Sequence, residues 1–282
     1  MRSPGPASSQ PMSPRQPMSP PQAMSPRQAA FRAAYRAQIA PAYHGLIHVA
    51  LIYLIGGAAL WYAARHIHAA TAAEIAVVPV VVILANLFEW FLHAQVMHRP
   101  RPGLMGIYNR HTLAHHQFFT QEAPFHETTR DYRIVFFPPY ALIAFLVMAS
   151  AGGFVLAELW SANAGWFVVC TASGMYMNYE FFHWCCHVQD DRILRHLPFV
   201  NTIRRHHIAH HNTAIMMNRN MNLTYPFADW LFGTSDLDRG LLGHLFNGYD
   251  TRFIRRDLPK TRSAARPGSA MAGEPGPAMA GE

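Results

Sequence analysis

The stretch Ile75–His98, IAVVPVVVILANLFEWFLHAQVMH, decides the fold. Its first 19 residues, Ile75–His93, carry one formal charge, Glu89, close to the end of the run. At about 1.5 Å per residue, a helix of that length crosses the roughly 30 Å hydrocarbon core of a bilayer. Three further runs have the same character: Leu46–Ala64, Val135–Val155 and Gly165–His187, the last with Glu180 near its end. Core helices of soluble proteins rarely run so long without charge. The expected fold is an all-α integral membrane protein with four transmembrane helices and a histidine-rich cytoplasmic helical cap. The membrane domain takes residues 44–258, with spans near 46–64, 75–93, 135–155 and 165–187 and the cap in 94–134 and 188–258.

Composition agrees with this reading. The 282 residues are 51% hydrophobic and only 14% charged, against roughly 25% charged in a typical soluble domain. Mean hydropathy is nonetheless +0.02, so the apolar residues are concentrated in segments. So much apolar surface excludes a disordered middle. Three cysteines, Cys170, Cys185 and Cys186, exclude a disulfide scaffold and a four-cysteine metal site. The ends read differently. Residues 11–28 repeat PMSPRQ, PMSPPQ and AMSPRQ, and AMAGE recurs at 270–274 and 278–282. Segments 1–43 and 259–282 are expected to be a Pro/Ser/Met-rich tail with its lead-in and a second tail, both disordered. The N-terminus lacks the pattern of a cleaved signal peptide.

The net charge of +7 comes almost wholly from arginine. With four spans, the N-terminus, the 94–134 loop and the C-terminal region share one side and hold 5, 5 and 12 of the 23 Lys+Arg. The opposite loops hold only Arg65. By the positive-inside rule both termini are expected in the cytoplasm. Charge placed this way orients the chain and meets lipid, and no nucleic-acid partner is expected.

Ionisable side chains at membrane depth are costly and mark function. The second and fourth spans run back toward the arginine-rich side, and each ends in a carboxylate followed by histidines. Ten of the 18 histidines fall into four boxes there: His93 and His98; His111, His115 and His116; His183 and His187; and His207, His210 and His211. On a helix, residues three or four apart share a face, so His183 and His187 point together, and His207, His210 and His211 form one stripe. His93 and His98 diverge on a regular helix, and a break or a π-type turn is needed to join them. Neutral imidazole suits iron, zinc and copper. Ten such ligands exceed what one ion uses, so two ions sharing them is the economical reading. Glu89 and Glu180 are expected to orient an imidazole through its second nitrogen. His126, His196, His206 and His244 lie near the boxes and are candidates for orienting a ligand or for contacting substrate.

The boxes HAQVMH, HTLAHH, HWCCH and HHIAHH resemble those of the membrane fatty acid hydroxylase/sterol desaturase superfamily. Asn222–Thr234, NLTYPFADWLFGT, is similar to the segment these proteins carry after the last box. Arg130–Pro139 and the HHIAHH box look closest to fatty acid 2-hydroxylases. The resemblance covers about His93 to Thr234. It implies a non-haem di-iron centre ligated by the ten box histidines, with O2 as co-substrate and a lipid C–H bond as its target. It therefore implies a fatty acid hydroxylase-type monooxygenase. Box two has three residues before its paired histidines, where close 2-hydroxylases have two, so sterol, carotenoid and headgroup substrates, and desaturation, stay within the reading. No HPGG haem motif, CxxCH or ferredoxin cysteine pattern is present, so a separate donor of ferredoxin or cytochrome b5 type, with its reductase, is expected to supply electrons. The competing class is a non-enzymatic membrane haem or metal-binding protein. A bis-histidine haem needs facing histidines within the spans, whereas these cluster at and beyond the span ends. A zinc protease would need HExxH, which is absent.

Overall fold

The computed structural model describes residues 24–259. Both repeats' outer parts, residues 11–23 and 263–282, lie outside the described residues. Six helices carry the architecture: α1 (Pro26–Ala37), α2 (Gly45–Arg65), α3 (Val77–Leu92), α4 (Pro139–Leu159), α5 (Ala162–Cys186) and α6 (Val200–His210). Shorter helical turns join them, and the described residues form no strand beyond one isolated bridge between Leu237 and Ile254.

Local chemistry starts these helices where they start. Ser25 caps α1 by accepting from the Gln28 amide, with Pro26 in the first turn. Ser161 caps α5 by accepting from the Ala164 amide. A proline in the first turn loses no helical hydrogen bond, and Pro139 opens α4 in this way. Helix α1 falls inside the segment expected to be a tail and its lead-in. The Pro/Ser/Met repeat masked it, because residues 26–37 bury Gln28, Arg32 and Tyr35 against the rest of the chain.

Three stretches are long and apolar enough to cross a membrane: Gly45–Arg65, Ala72–Met97 and Thr129–Leu159. They leave large apolar side chains uncovered, among them Leu54, Tyr140, Val147 and Leu159. Apolar faces this extensive are a membrane signature. The fourth expected span, Gly165–His187, falls in α5 but is not among them. Helix α5 is 25 residues long, and Asn163, Thr171, Ser173, Asn178 and Glu180 dilute its apolar character. Its position accounts for this composition: α5 packs against α2, α3, α4 and α6 at once. A helix covered by its neighbours has less lipid to face.

The α4–α5 hairpin is closed by two glycines. A Cβ on Gly153 would stand 2.7 Å from the Gly165 carbonyl oxygen, and one on Gly165 would stand 2.4 Å from that of Gly153. Backbones this close require small residues, as in membrane helix pairs. At the opposite end of α5, the 94–134 segment, α6 and the 221–228 segment meet over the helix termini.

Candidate metal centre

All ten box histidines are buried, and nine of them form two groups. His93, His98, His111, His116 and His210 make the first; His115, His187, His207 and His211 make the second. Within each group the candidate ligand atoms all lie within 4.8 Å of one another, so each could hold a metal ion. His183 stands beside the second group, its Nε2 3.3 Å from that of His115.

Two departures from regular helix build this arrangement. Residues His93–Met97 form a π turn in which the His98 amide donates to the His93 carbonyl at 3.1 Å. A second π turn, Asn109–His115, repeats the pattern with the His116 amide on the His111 carbonyl. An i→i+5 turn aligns residues that an α-helix would splay. The Nε2 atoms of His93 and His98 consequently lie 3.1 Å apart, and those of His111 and His116 also 3.1 Å. Box two thereby splits. His111 and His116 face the first group while His115 faces the second. Helix α6 also divides, against the single stripe expected of it: His210 goes to the first group and His207 with His211 to the second, because the two groups sit side by side against one broad face of the helix. The groups are adjacent, with the His116 and His211 rings 4.4 Å apart between centroids.

The donor set fits metal ions by a proton argument. His93 Nδ1 meets the Met221 carbonyl at 2.5 Å and His210 Nδ1 the Arg219 carbonyl at 2.8 Å. His211 Nδ1 meets the Phe119 carbonyl at 2.8 Å, His187 Nδ1 that of Pro124 at 2.6 Å, and His115 Nδ1 that of Ile134 at 3.1 Å. A carbonyl only accepts, so each of these Nδ1 atoms carries the proton and donates. The Thr112 hydroxyl donates to the Met97 carbonyl, so it accepts from His98 Nδ1. Each of these neutral rings therefore turns a bare Nε2 lone pair inward. His98 and His210 bring two such lone pairs to 2.9 Å. Neither atom has a proton to share, and a cation is the natural partner. Burial pushes the ring pKa values of His115, His116, His207 and His210 well below the ordinary histidine value, with help from neighbouring imidazoles. His211 is pushed down to about 3, burial again being the main cause. Neutral imidazole is the form a metal requires.

The expected orienting carboxylates do something else. Glu89 touches no imidazole; it accepts from the Leu223 amide, from the Thr224 amide at 2.9 Å and from the Thr224 hydroxyl at 2.5 Å. It thereby fixes the segment whose Met221 carbonyl orients His93. Glu180 accepts from the Phe137 amide at 3.1 Å and likewise meets no imidazole. Backbone carbonyls take the role assigned to both, and no side-chain pattern encodes them. His206 is buried but donates to Asp229 at 2.9 Å rather than toward an ion. His126 contributes its backbone amide to the His187 carbonyl at 2.9 Å, while its ring packs on Tyr132. His196 is exposed and stands apart.

Asp229 is the site residue that sequence reasoning overlooked. Its carboxylate gathers the Met221 and Asn222 amides at 2.9 and 2.6 Å, the Thr234 hydroxyl and His206. Burial acts to raise its pKa, but His206 and the other donors hold it below the usual carboxylate value. Its position within Asn222–Thr234, the segment after the last box, was the available signal.

An apolar cavity of about 100 Å³ lies between α3 and α5, lined by Phe88, Leu92, His93, Phe137, Phe145 and Tyr179 among others. His93 is shared between this cavity and the first group.

Comparison with family models, curated proteins and solved structures finds no match to the chain. Its own geometry defines an all-helical protein with membrane-length apolar helices and two buried histidine groups able to hold metal. Those features are compatible with a histidine-box membrane metalloenzyme.

Proposed function

We propose that this chain is a membrane lipid hydroxylase in which each histidine group holds one iron ion. The observation that carries the reading is the pair of adjacent imidazole groups with bare, facing Nε2 atoms, one of them bordering an apolar cavity. Four or five converging imidazole nitrogens suit a bare ion, whereas bis-histidine haem uses two. Helix α5 serves as the fourth span, and the arginine asymmetry places both termini and the histidine groups toward the cytoplasm.

Iron, when bound, supplies the O2 activation that an unactivated C–H bond requires. The overall change consumes O2, two electrons and two protons, inserts one oxygen atom into the C–H bond and releases water. A separate electron-transfer protein provides the electrons. The chain's own side chains do the rest. Phe88, Leu92 and Phe145 offer an apolar wall for an acyl chain. Backbone carbonyls hold the Nδ1 protons, and thus the ring orientations, of His93, His115, His187, His210 and His211, and burial excludes bulk water. A fatty acyl chain is the favoured substrate; sterol and carotenoid C–H bonds present similar apolar surface.

Lipid mass spectrometry tests this in cells expressing the chain with a reductase system. A lipid species heavier by one oxygen is expected with wild type and absent with His207→Ala. Identical lipid profiles, or a haem absorption band in the purified protein, would sink the proposal.

A further inference from the structure

We propose that Arg32, on the N-terminal helix α1, is a positioning residue for the second histidine group and not for the first. The inference rests on the two-ion reading above.

Arg32 is 2% exposed, an unusual place for a guanidinium, and its donors are spent on one loop. Nε donates to the Phe118 carbonyl at 2.7 Å. One terminal nitrogen donates to the Ala123 carbonyl at 2.7 Å. The other donates to the Phe125 carbonyl at 3.1 Å and to Glu127 at 2.7 Å. Gln28, one turn earlier, doubles the contacts to Phe118 and Ala123 at 3.0 and 3.2 Å. The guanidinium also lies over the Phe118 ring, 4.8 Å from its centroid.

Residues between these clamped carbonyls hold two of the second group's four imidazoles. Phe119, next to Phe118, accepts the His211 Nδ1 proton at 2.8 Å. Pro124, between Ala123 and Phe125, accepts that of His187 at 2.6 Å. The Phe119 ring also stacks on His187, 4.0 Å between centroids. Successive peptide planes are joined through one residue's φ and ψ, so anchoring carbonyls 118, 123 and 125 narrows the range open to carbonyls 119 and 124. The first group takes its acceptors elsewhere, from Met221, Arg219 and Thr112. Lysine cannot replace this arrangement, because one ammonium does not reproduce a planar fork reaching three carbonyls.

The test uses the full chain in detergent, stripped of metal and titrated anaerobically with iron(II). Wild type is expected to take two ions. In Arg32→Lys one ion weakens by roughly 10–100-fold, the range for groups that orient a ligand, and the other is unchanged. Backgrounds assign the loss. Added to His211→Ala, Arg32→Lys changes nothing further; added to His210→Ala, it weakens the remaining ion by the same roughly 10–100-fold. Equal weakening of both ions, including their joint loss through misfolding, overturns the assignment, as does no change in either. Fewer than two ions in wild type refutes the two-ion reading, and the assignment falls with it.

Discussion

The two histidine groups use one kind of donor and two different scaffolds. The first hangs on chain that follows the last histidine box: Met221 and Arg219 supply its carbonyls, and Asp229, Asn86 and Glu89 tie that segment down. The second hangs on chain between box two and the third span, through Phe119, Pro124 and Ile134. The difference shows that placement of five of the ten imidazoles is delegated to backbone carbonyls on two separate segments. It also makes the two groups separable by mutation, although they are neighbours.

The largest effect expected from breaking that separation is at the ligands. His98→Ala and His207→Ala each lose one iron(II) ion per chain and bring lipid oxidation to background. Loss of both ions from either variant would merge the groups into one cooperative site. Metal removal comes next. A chelator should lower the unfolding midpoint, because ions that bind only the native state stabilise it by mass action; an unchanged midpoint would place no ion in the native groups. Asp229→Asn should follow, weakening the first ion about 10–100-fold while sparing the second, as read by iron titration. The smallest is Thr112→Val. It leaves His98 Nδ1–H without its acceptor, a loss of about 1 kcal/mol, and should soften the first ion by a few-fold. An equal change at the second ion would contradict the division of scaffolds.

Much of the centre was legible in advance, for particular reasons. Spacing of four residues on a helix brought His183 with His187 and His207 with His211 into register. Spacing of five between His93 and His98 called for a helix break or a π-type turn, and the structure has the π turn. Box two hid its logic, because a π turn sends His111 and His116 one way and His115 the other. Glu89 and Glu180 were misjudged because chain proximity to a histidine says nothing about which amide lies across the bundle. Helix α1 was missed because a low-complexity repeat runs into it, and its value lies in one buried arginine.

The sequence by itself determined the apolar helices, the histidine inventory and the pairing of His207 with His211 on one helix face, though not the departure of His210 from it. Those follow from hydropathy and helical period, which are local. Only the tertiary structure decided which boxes pool their ligands, that α5 packs against four other helices, and which carbonyls hold His93, His115, His187, His210 and His211. Those depend on contacts between segments distant in sequence, and a backbone carbonyl is the same atom at every position until packing aims it.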